Sequence, residues 1–133
     1  MSQFSPKDFF EVSKNIHDAL KTPEKLLKIH SEYITAWIRT GISRAYYAAF
    51  LLTNDISGYR FGGKNAHDQL CRVLKTMRGV YAKIGSKLNS LRKRRLQADY
   101  NLAYKPSLGE LQWAVKTAED IIAKACKFWQ HSI

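Results

Sequence analysis

The sequence predicts an all-α fold, and three observations carry that prediction. The 133-residue chain holds only three prolines and seven glycines, which favours long regular elements over a loop-rich fold. Apolar residues recur at steps of three and four along most of the chain, the spacing of one helix face. No run between turn signals alternates apolar and polar residues as a half-buried strand does. We expect a single domain over residues 1–133, a compact up-down bundle of about five helices.

The first helix is predicted to begin at Ser5-Pro6, because a serine cap followed by proline is a typical helix start. Four apolar residues then follow at helical spacing: Phe9, Val12, Ile16 and Leu20. Thr22-Pro23 repeats the start signal, so a further helix or helical turn is expected there. Helix then continues, with or without a break, toward Gly41.

The middle of the chain predicts a helix, a loop and a shorter helix. Residues 42–53 are dense in helix formers, and Gly41, Ala45 and Ala48 form a stripe of small residues that lets another helix approach closely. Residues 54–63 hold three glycines and are expected to form the main loop. A shorter helix is expected over residues 65–78, and the segment between the next two glycines is left unassigned.

Two further helices are predicted in the C-terminal part of the chain. Residues 86–102 have apolar positions at alternating steps of three and four, and Pro106 follows them. Ser107 with Glu110 three residues later forms a capping box that opens the last helix. The three tryptophans are expected to be core anchors rather than stacking platforms: Trp37, Trp113 and Trp129.

Several function classes are disfavoured by composition. No run approaches the ~20 apolar residues of a membrane span, and the first residues lack the charged-then-apolar order of a signal peptide. We therefore expect a cytoplasmic protein with no membrane partner. Cys71 and Cys126 suit neither a secreted disulfide framework nor a paired-cysteine metal site. No metal and no cofactor is expected.

The charge balance favours a polyanionic partner. Lysine and arginine number 22 against 11 acidic residues, a net charge of +11. Residues 83–95 and 60–78 are basic, and Asp68 is the one acid within them. Such runs suit phosphate contacts, although a solvated face that aids solubility is the alternative. The residues assigned to RNA binding are the following: Arg44, Lys87, Arg92, Lys93 and Arg94.

Arg95 lies in the middle of an otherwise apolar helical stripe. Burying a guanidinium there costs several kcal/mol unless it is paired or lines a wet groove. Asp99 stands four residues on, the right distance for a pair on the same helix. Two interpretations stay open and are compatible. The pair is a buried strut that fixes helix register, with Tyr100 or with Tyr46 and Tyr47, or Arg95 faces a cleft and meets an anionic ligand.

Three segments resemble a prokaryotic branch of the HEPN domains. Residues 41–50, GISRAYYAAF, resemble its S-R-x-Y-Y-A-x-F core. Lys64 and His67 resemble its K-x-x-H segment, and residues 95–100 resemble its R-x-x-x-D-Y signature. The resemblance extends over about residues 5–130 and implies a helical bundle that commonly forms a homodimer.

Many HEPN proteins are metal-independent endoribonucleases, toxins paired with a nucleotidyltransferase antitoxin, or phage-defence effectors. Active members place an R-x4–6-H motif from each protomer across the dimer cleft. No histidine stands at that spacing from Arg95 or the arginines before it, and His67 is the candidate substitute. The resemblance thus implies this catalytic set: Arg95, Asp99, Tyr100 and His67.

Three functional hypotheses follow. The first is a HEPN-like RNA-binding homodimer, an endoribonuclease or another component of a toxin–antitoxin or defence system. The second is a non-catalytic module that binds a nucleotidyltransferase or another acidic protein. The third, a membrane-surface protein, is least favoured because the apolar stripes are needed for the bundle core.

Overall fold

A computed structural model of the chain describes residues 5–21 and 31–129, which form five α-helices and no strand. These helices are α1 (Pro6–Lys21), α2 (Ser31–Ile56), α3 (Ala66–Thr76), α4 (Val80–Tyr100) and α5 (Leu108–Phe128). The predicted all-α bundle is confirmed for this part of the chain. The helix start predicted at Thr22-Pro23 lies outside the described residues. None of the described helices is long and apolar enough to cross a membrane.

The long helix α2 is the centre of the bundle. It packs against α1, α4 and α5, while α3 packs against α4. Its inward face is formed by small and aromatic residues that are completely enclosed, among them Ala45, Tyr46 and Ala49. Leu88 and Leu91 of α4 are equally buried, so one continuous core runs through the bundle. Burial of this apolar surface is the main stabilising contribution.

Two helix starts are fixed by the side-chain caps that the sequence predicts. The backbone N–H of Lys7 donates to Ser5 Oγ at 3.2 Å, and the backbone N–H of Ser5 donates to the Asp8 carboxylate at 3.0 Å. At α5, the backbone N–H of Glu110 donates to Ser107 Oγ at 3.2 Å. Each bond satisfies a backbone donor that the first turn of a helix leaves free.

Two helix boundaries differ most from the sequence prediction, and α2 also ends at Ile56, inside the predicted loop 54–63. α2 runs through Gly41 without a break, and the absence of a side chain there leaves room for Leu111 of α5 and Ile16 of α1. α4 begins at Val80 rather than Ser86, directly after Gly79, whose φ of 66° requires glycine. The previously unassigned segment is therefore the first turn and a half of α4.

Gly85 permits a close approach of α3 to α4. A Cβ at this position would lie 2.8 Å from Leu74 Cβ and 3.1 Å from the backbone nitrogen of Lys75. Because one of these atoms is backbone, the side-chain-free position is what allows α3 to lie against α4. This contact places the start of α3 beside the polar cluster described next.

Candidate nucleic-acid interface

Arg95 lies on α4 with only 5% of its surface exposed. Its Nη1 is 3.5 Å from Asp99 Oδ2, the pair that the four-residue spacing predicts. The guanidinium carbon lies 4.9 Å from the ring centroid of Tyr47, 5.4 Å from that of Tyr46 and 5.9 Å from that of Tyr100. The carboxylate and the negative ring faces together offset the cost of removing the cation from water.

Asp99 connects this cation to the central helix. Its Oδ2 accepts a hydrogen bond from Ser43 Oγ of α2 at 3.2 Å. The Asp99 side chain is 27% exposed, so solvent reaches the carboxylate of the pair but not the guanidinium. Arg95 Nε has no hydrogen-bond partner among the described residues. These contacts have the geometry of the strut interpretation, since they hold α4 against α2 at one register.

His67, at the start of α3, lies against Tyr46 and Tyr47, the two tyrosines of α2 that contact Arg95. Its Nδ1 is 2.5 Å from the hydroxyl of Tyr46, and its ring stacks on Phe50 with centroids 4.1 Å apart. Burial, together with the nearby guanidinium groups of Arg95 and Arg92, lowers the pKa of His67 to about 4. Burial also raises the pKa of Tyr46. At neutral pH the imidazole is uncharged and the phenol keeps its proton.

Three of the four residues predicted as catalytic, Arg95, Asp99 and His67, therefore lie together. With the residues that they contact they form what we call the Arg95 cluster: Arg95, Asp99, Ser43, Tyr46, Tyr47 and His67. Tyr100 is at its outer edge and is 72% exposed. A surface depression of about 490 Å³ is lined by Asp99 but not by Arg95. An anion that approaches from that side meets Arg39 and the Asp99 carboxylate before the Arg95 guanidinium. A neutral imidazole can accept a proton, so the cluster holds a base and a cation with limited access.

Acidic residues from other helices face part of the basic run on α4. Lys87 forms an ion pair with Asp120 of α5, which also binds Lys124 at 3.1 Å. The hydrogen bond between Lys87 and Asp120 raises the pKa of Lys87 and lowers that of Asp120. Arg92 Nη1 lies 3.6 Å from Asp68 of α3. Residues 83–95 contain no acid, but in the folded protein carboxylates of α3 and α5 partly neutralise their charge.

Lys93 and Arg94 differ from those two residues. Lys93 is exposed and has no ion-pair partner within the described ranges. Arg94 Nη1 lies 4.0 Å from Glu110, and its guanidinium carbon lies 5.8 Å from the ring centroid of Trp113. An open depression of about 640 Å³ between α4 and α5 is lined by six residues: Ser90, Lys93, Arg94, Leu96, Gln97 and Trp113. We call it the α4–α5 depression.

The exposure of Trp113 corrects a sequence prediction. Trp113 is 40% exposed and Trp37 is 47% exposed, so two of the three tryptophans are not core anchors. Trp129 is 8% exposed and is one. Position 113 does not belong to the apolar face of α5. That position in the helical pattern was the signal in the sequence that Trp113 is not part of the core. Arg44, the remaining predicted RNA contact, lies on α2 with its guanidinium carbon 5.1 Å from the ring centroid of Phe9.

Arg39 is a positioning residue that the sequence reasoning missed. From α2 its Nε donates to the carbonyl of Ala98 at 2.8 Å, and its Nη1 donates to the carbonyl of Tyr104 at 3.1 Å. The first carbonyl belongs to the last turn of α4, where helices leave acceptors free. Arg39 thereby fixes the turn between α4 and α5, on which the relative position of Lys93 and Trp113 depends. No sequence motif distinguishes this arginine from the others.

Residues 5–21 and 31–129 contain no group of three or more histidine, cysteine, aspartate or glutamate side chains placed to hold a metal ion. Comparison with family models, with curated proteins and with solved structures finds no match to the chain. The fold and the site define a class only: a basic helical bundle with an exposed cationic and aromatic depression.

Proposed function

We propose that the chain is a HEPN-like RNA-binding protein that acts as a homodimer in a toxin–antitoxin or phage-defence system. The observation that carries this proposal is the exposure of Lys93 and Arg94 beside an open indole ring, on a chain of net charge +11. Cations bind phosphate and release counterions from it, which is the main source of affinity for nucleic acid. Lys93 has no ion-pair partner among the described residues, and Arg94 has only Glu110, at 4.0 Å. The surface of α4 is the RNA interface.

Lys87 and Arg92 contribute at the edges of this interface. Their ion pairs with Asp120 and Asp68 are partly exposed to solvent. Exposed pairs contribute about 0–1 kcal/mol, so a phosphate group can compete for these cations at little cost. Lys93 and Arg94 form the centre of the interface, and the paired cations extend it along the helix.

RNA binding is tested with a labelled single-stranded RNA by fluorescence anisotropy at several salt concentrations. Lys93→Ala and Arg94→Ala are expected to weaken binding, and each lost phosphate contact reduces the slope of log K against log salt by about 0.7. Lys14→Ala, an exposed lysine of α1, is the matched control and leaves affinity unchanged. An absence of binding at about 50 mM salt, where phosphate contacts are strong, contradicts the proposal.

RNA cleavage by the Arg95 cluster is the second candidate function. A specific observation favours it: the uncharged imidazole of His67 and the cation of Arg95 both contact Tyr46. In this proposal His67 accepts the proton of the 2′-hydroxyl as its oxygen bonds to the adjacent phosphorus, and the 5′-oxygen leaves and takes a proton from water. Arg95 contacts the phosphate, Asp99 holds Arg95, and Tyr100 lines the site at the surface. Because Arg95 is buried, a local opening of the bundle must give RNA access to it.

Cleavage is tested by incubating the protein with tRNA and mRNA in EDTA. Loss of cleavage in both Arg95→Lys and His67→Gln, with circular dichroism unchanged, supports the assignment. Cleavage that is unchanged in these variants removes it. If the wild-type protein binds RNA and leaves it intact, the binding proposal stands and catalysis is discarded.

The closed position of Arg95 also favours a non-catalytic role over catalysis. In that alternative the bundle binds an acidic partner such as a nucleotidyltransferase antitoxin through the same basic surface. Absence of RNA affinity together with binding of a purified nucleotidyltransferase replaces the RNA-binding proposal with this one. Isothermal titration calorimetry of the two proteins gives the answer.

A further inference from the structure

We infer that the α4–α5 depression binds one unpaired base of a single-stranded RNA, stacked on Trp113, with the adjacent phosphate held by Lys93 and Arg94. This inference rests on the proposed RNA-binding function and specifies its substrate class. It assigns Trp113, Gln97 and Ser90 as contact residues in addition to the cations.

The depression has the size and composition of a binding site. Its volume of about 640 Å³ falls within the range of ~300–1,000 Å³ that small-molecule sites occupy. Lys93 and Gln97 are one helical turn apart on α4, and α5 supplies the indole. An indole left 40% exposed forfeits part of the stabilisation that burial gives. An accessible ring beside cations is how single-stranded nucleic acids are bound without base pairing.

Arg94 leaves the ring available. Its distance of 5.8 Å from the ring centroid is at the outer limit of about 6 Å for a cation–π contact. Its distance of 4.0 Å from Glu110 is likewise at the limit of an ion pair. Both contacts are at the limit of their range, and Arg94 also interacts with the neutral Tyr104 hydroxyl. A phosphate offers the guanidinium a full negative charge and can therefore compete with these partners.

Glu110 determines on which side of Trp113 the phosphate binds. Its Oε2 accepts a hydrogen bond from the Tyr104 hydroxyl at 2.7 Å, which fixes the carboxylate on the α5 side of Trp113. A smaller depression on that side is lined by Arg94, Glu110 and Trp113, with Ser107 and Gly109. A phosphate there is repelled by Glu110, whereas the opposite side presents Lys93. The phosphate therefore lies toward α4, and the base lies over the ring.

This arrangement selects single strands over duplexes. In an A-form duplex the bases are stacked inside the helix and do not reach a depression on a protein surface. An unpaired base is free to stack on Trp113, and its edge can be hydrogen-bonded by the Gln97 amide and the Ser90 hydroxyl. Stacking depends little on base identity, so modest sequence preference is expected.

The test measures binding of a labelled oligouridine and of a duplex of the same length by fluorescence anisotropy. Trp113→Ala is expected to weaken oligouridine binding about 5- to 150-fold, the usual effect of losing one base–aromatic stack. Trp113→Phe retains a ring and is expected to keep most of the affinity. Trp37→Ala is the matched control, since Trp37 is 47% exposed but lines a different groove, between α1 and α2.

Salt dependence separates stacking from charge. Trp113→Ala is expected to leave the slope of log K against log salt unchanged, because a stacked base releases no counterions. Lys93→Ala is expected to reduce that slope by about 0.7. Circular dichroism of every variant, together with the Phe substitution, keeps the result interpretable if the alanine variant loses stability.

Four results overturn the inference. Equal affinity of Trp113→Ala and wild type, with Lys93→Ala weakened, removes the stacked base and leaves RNA binding in place. Equal binding of the duplex and the single strand does the same. Binding of polyglutamate at this site in preference to oligouridine assigns the depression to an acidic protein instead. Absence of any RNA binding removes the proposed function together with the inference.

Discussion

The guanidinium of Arg95 has consequences for stability that do not depend on any ligand. It is enclosed by tyrosine rings and by Asp99, and the carboxylate retains Ser43 and partial exposure when Arg95 is removed. Arg95→Ala is expected to lower the free energy of unfolding by about 2–4 kcal/mol, toward the lower end for a broken buried pair. Urea denaturation measures this change.

Lys93→Ala on the same helix is the control for that measurement. Lys93 is exposed, and its removal is expected to change the free energy of unfolding by no more than about 0.5 kcal/mol. An Arg95→Ala protein as stable as the wild type contradicts the strut interpretation and leaves ligand binding as the reason for the buried cation.

His67 gives stability a defined pH dependence. Its pKa is about 4 in the folded protein, below its ordinary value of 6.5, because burial and two nearby guanidinium groups disfavour the imidazolium. Between these values the unfolded chain binds a proton that the folded protein does not. The free energy of unfolding is therefore expected to fall as pH decreases from 6.5 toward 4, which urea titrations across that interval measure.

A His67→Gln variant isolates this contribution. Glutamine does not titrate and can still hydrogen-bond the Tyr46 hydroxyl. The pH dependence of its stability is expected to be shallower than that of the wild type between pH 6.5 and 4. Carboxylates that titrate in the same interval contribute equally to both proteins and cancel in the difference. Parallel curves for the two proteins would show that His67 titrates normally.

At the scale of the elements, the α3–α4 contact is less tolerant than the α2–α5 contact. Gly85→Ala places a methyl group against backbone of α3, which cannot move aside, whereas Gly41→Ala meets Leu111 Cδ1 at 2.6 Å, the end of a mobile side chain. Gly85→Ala is expected to destabilise the protein by about 1–3 kcal/mol through overpacking. A smaller loss is expected for Gly41→Ala. Thermal unfolding compares them.

Both substitutions gain helix propensity of about 1 kcal/mol, because alanine is favoured over glycine inside a helix. That gain is common to the pair, so the difference between them reports the packing alone. A Gly41→Ala protein that is less stable than Gly85→Ala contradicts the assignment of the tight contact to α3 and α4.

The helix ends show which local signals are readable from sequence. Ser5 and Ser107 act through side chains that bond backbone within three residues, so their residue types reveal them. The start of α4 has no side-chain cap, and Gly41 acts through residues of other helices. Such ends depend on tertiary contacts that no short pattern encodes.

In the candidate site, too, contacts within one helix are predictable from the sequence and contacts between helices are not. The pairing of Arg95 with Asp99 is predictable because both lie on one helix at a fixed spacing. The acids that face α4 come from α3 and α5, namely Asp68, Glu110 and Asp120, and the exposure of Trp113 depends on where α4 lies. The distribution of charge over this surface therefore needed the structure.

At the scale of the whole molecule, the proposed homodimer brings two strongly basic chains together. Each carries a net charge of +11, so mutual repulsion opposes association at low salt and is screened as salt rises. Sedimentation is therefore expected to show dimer formation that strengthens with added salt or with bound RNA. A protein that stays monomeric under all these conditions contradicts the homodimer.

A cysteine placed on α4 locates the dimer interface. Ser86 is exposed and lies two turns before Lys93 on the same side of the helix. If α4 meets its copy, Ser86→Cys in a Cys126→Ser background is expected to form an intermolecular disulfide under mild oxidation. The Cys126→Ser protein alone, whose remaining Cys71 is buried, is the control and is expected to form none. A dimer that fails to crosslink at this position has its interface elsewhere.

The two bonds of Arg39 imply an unequal tolerance to sequence change. Both acceptors are main-chain carbonyls, at Ala98 and Tyr104, and every amino acid offers the same carbonyl. The residues at those two acceptor positions can therefore be substituted without loss of the hydrogen bonds that fix the turn between α4 and α5. Position 39 has no such freedom, since only a forked guanidinium reaches both oxygens at once.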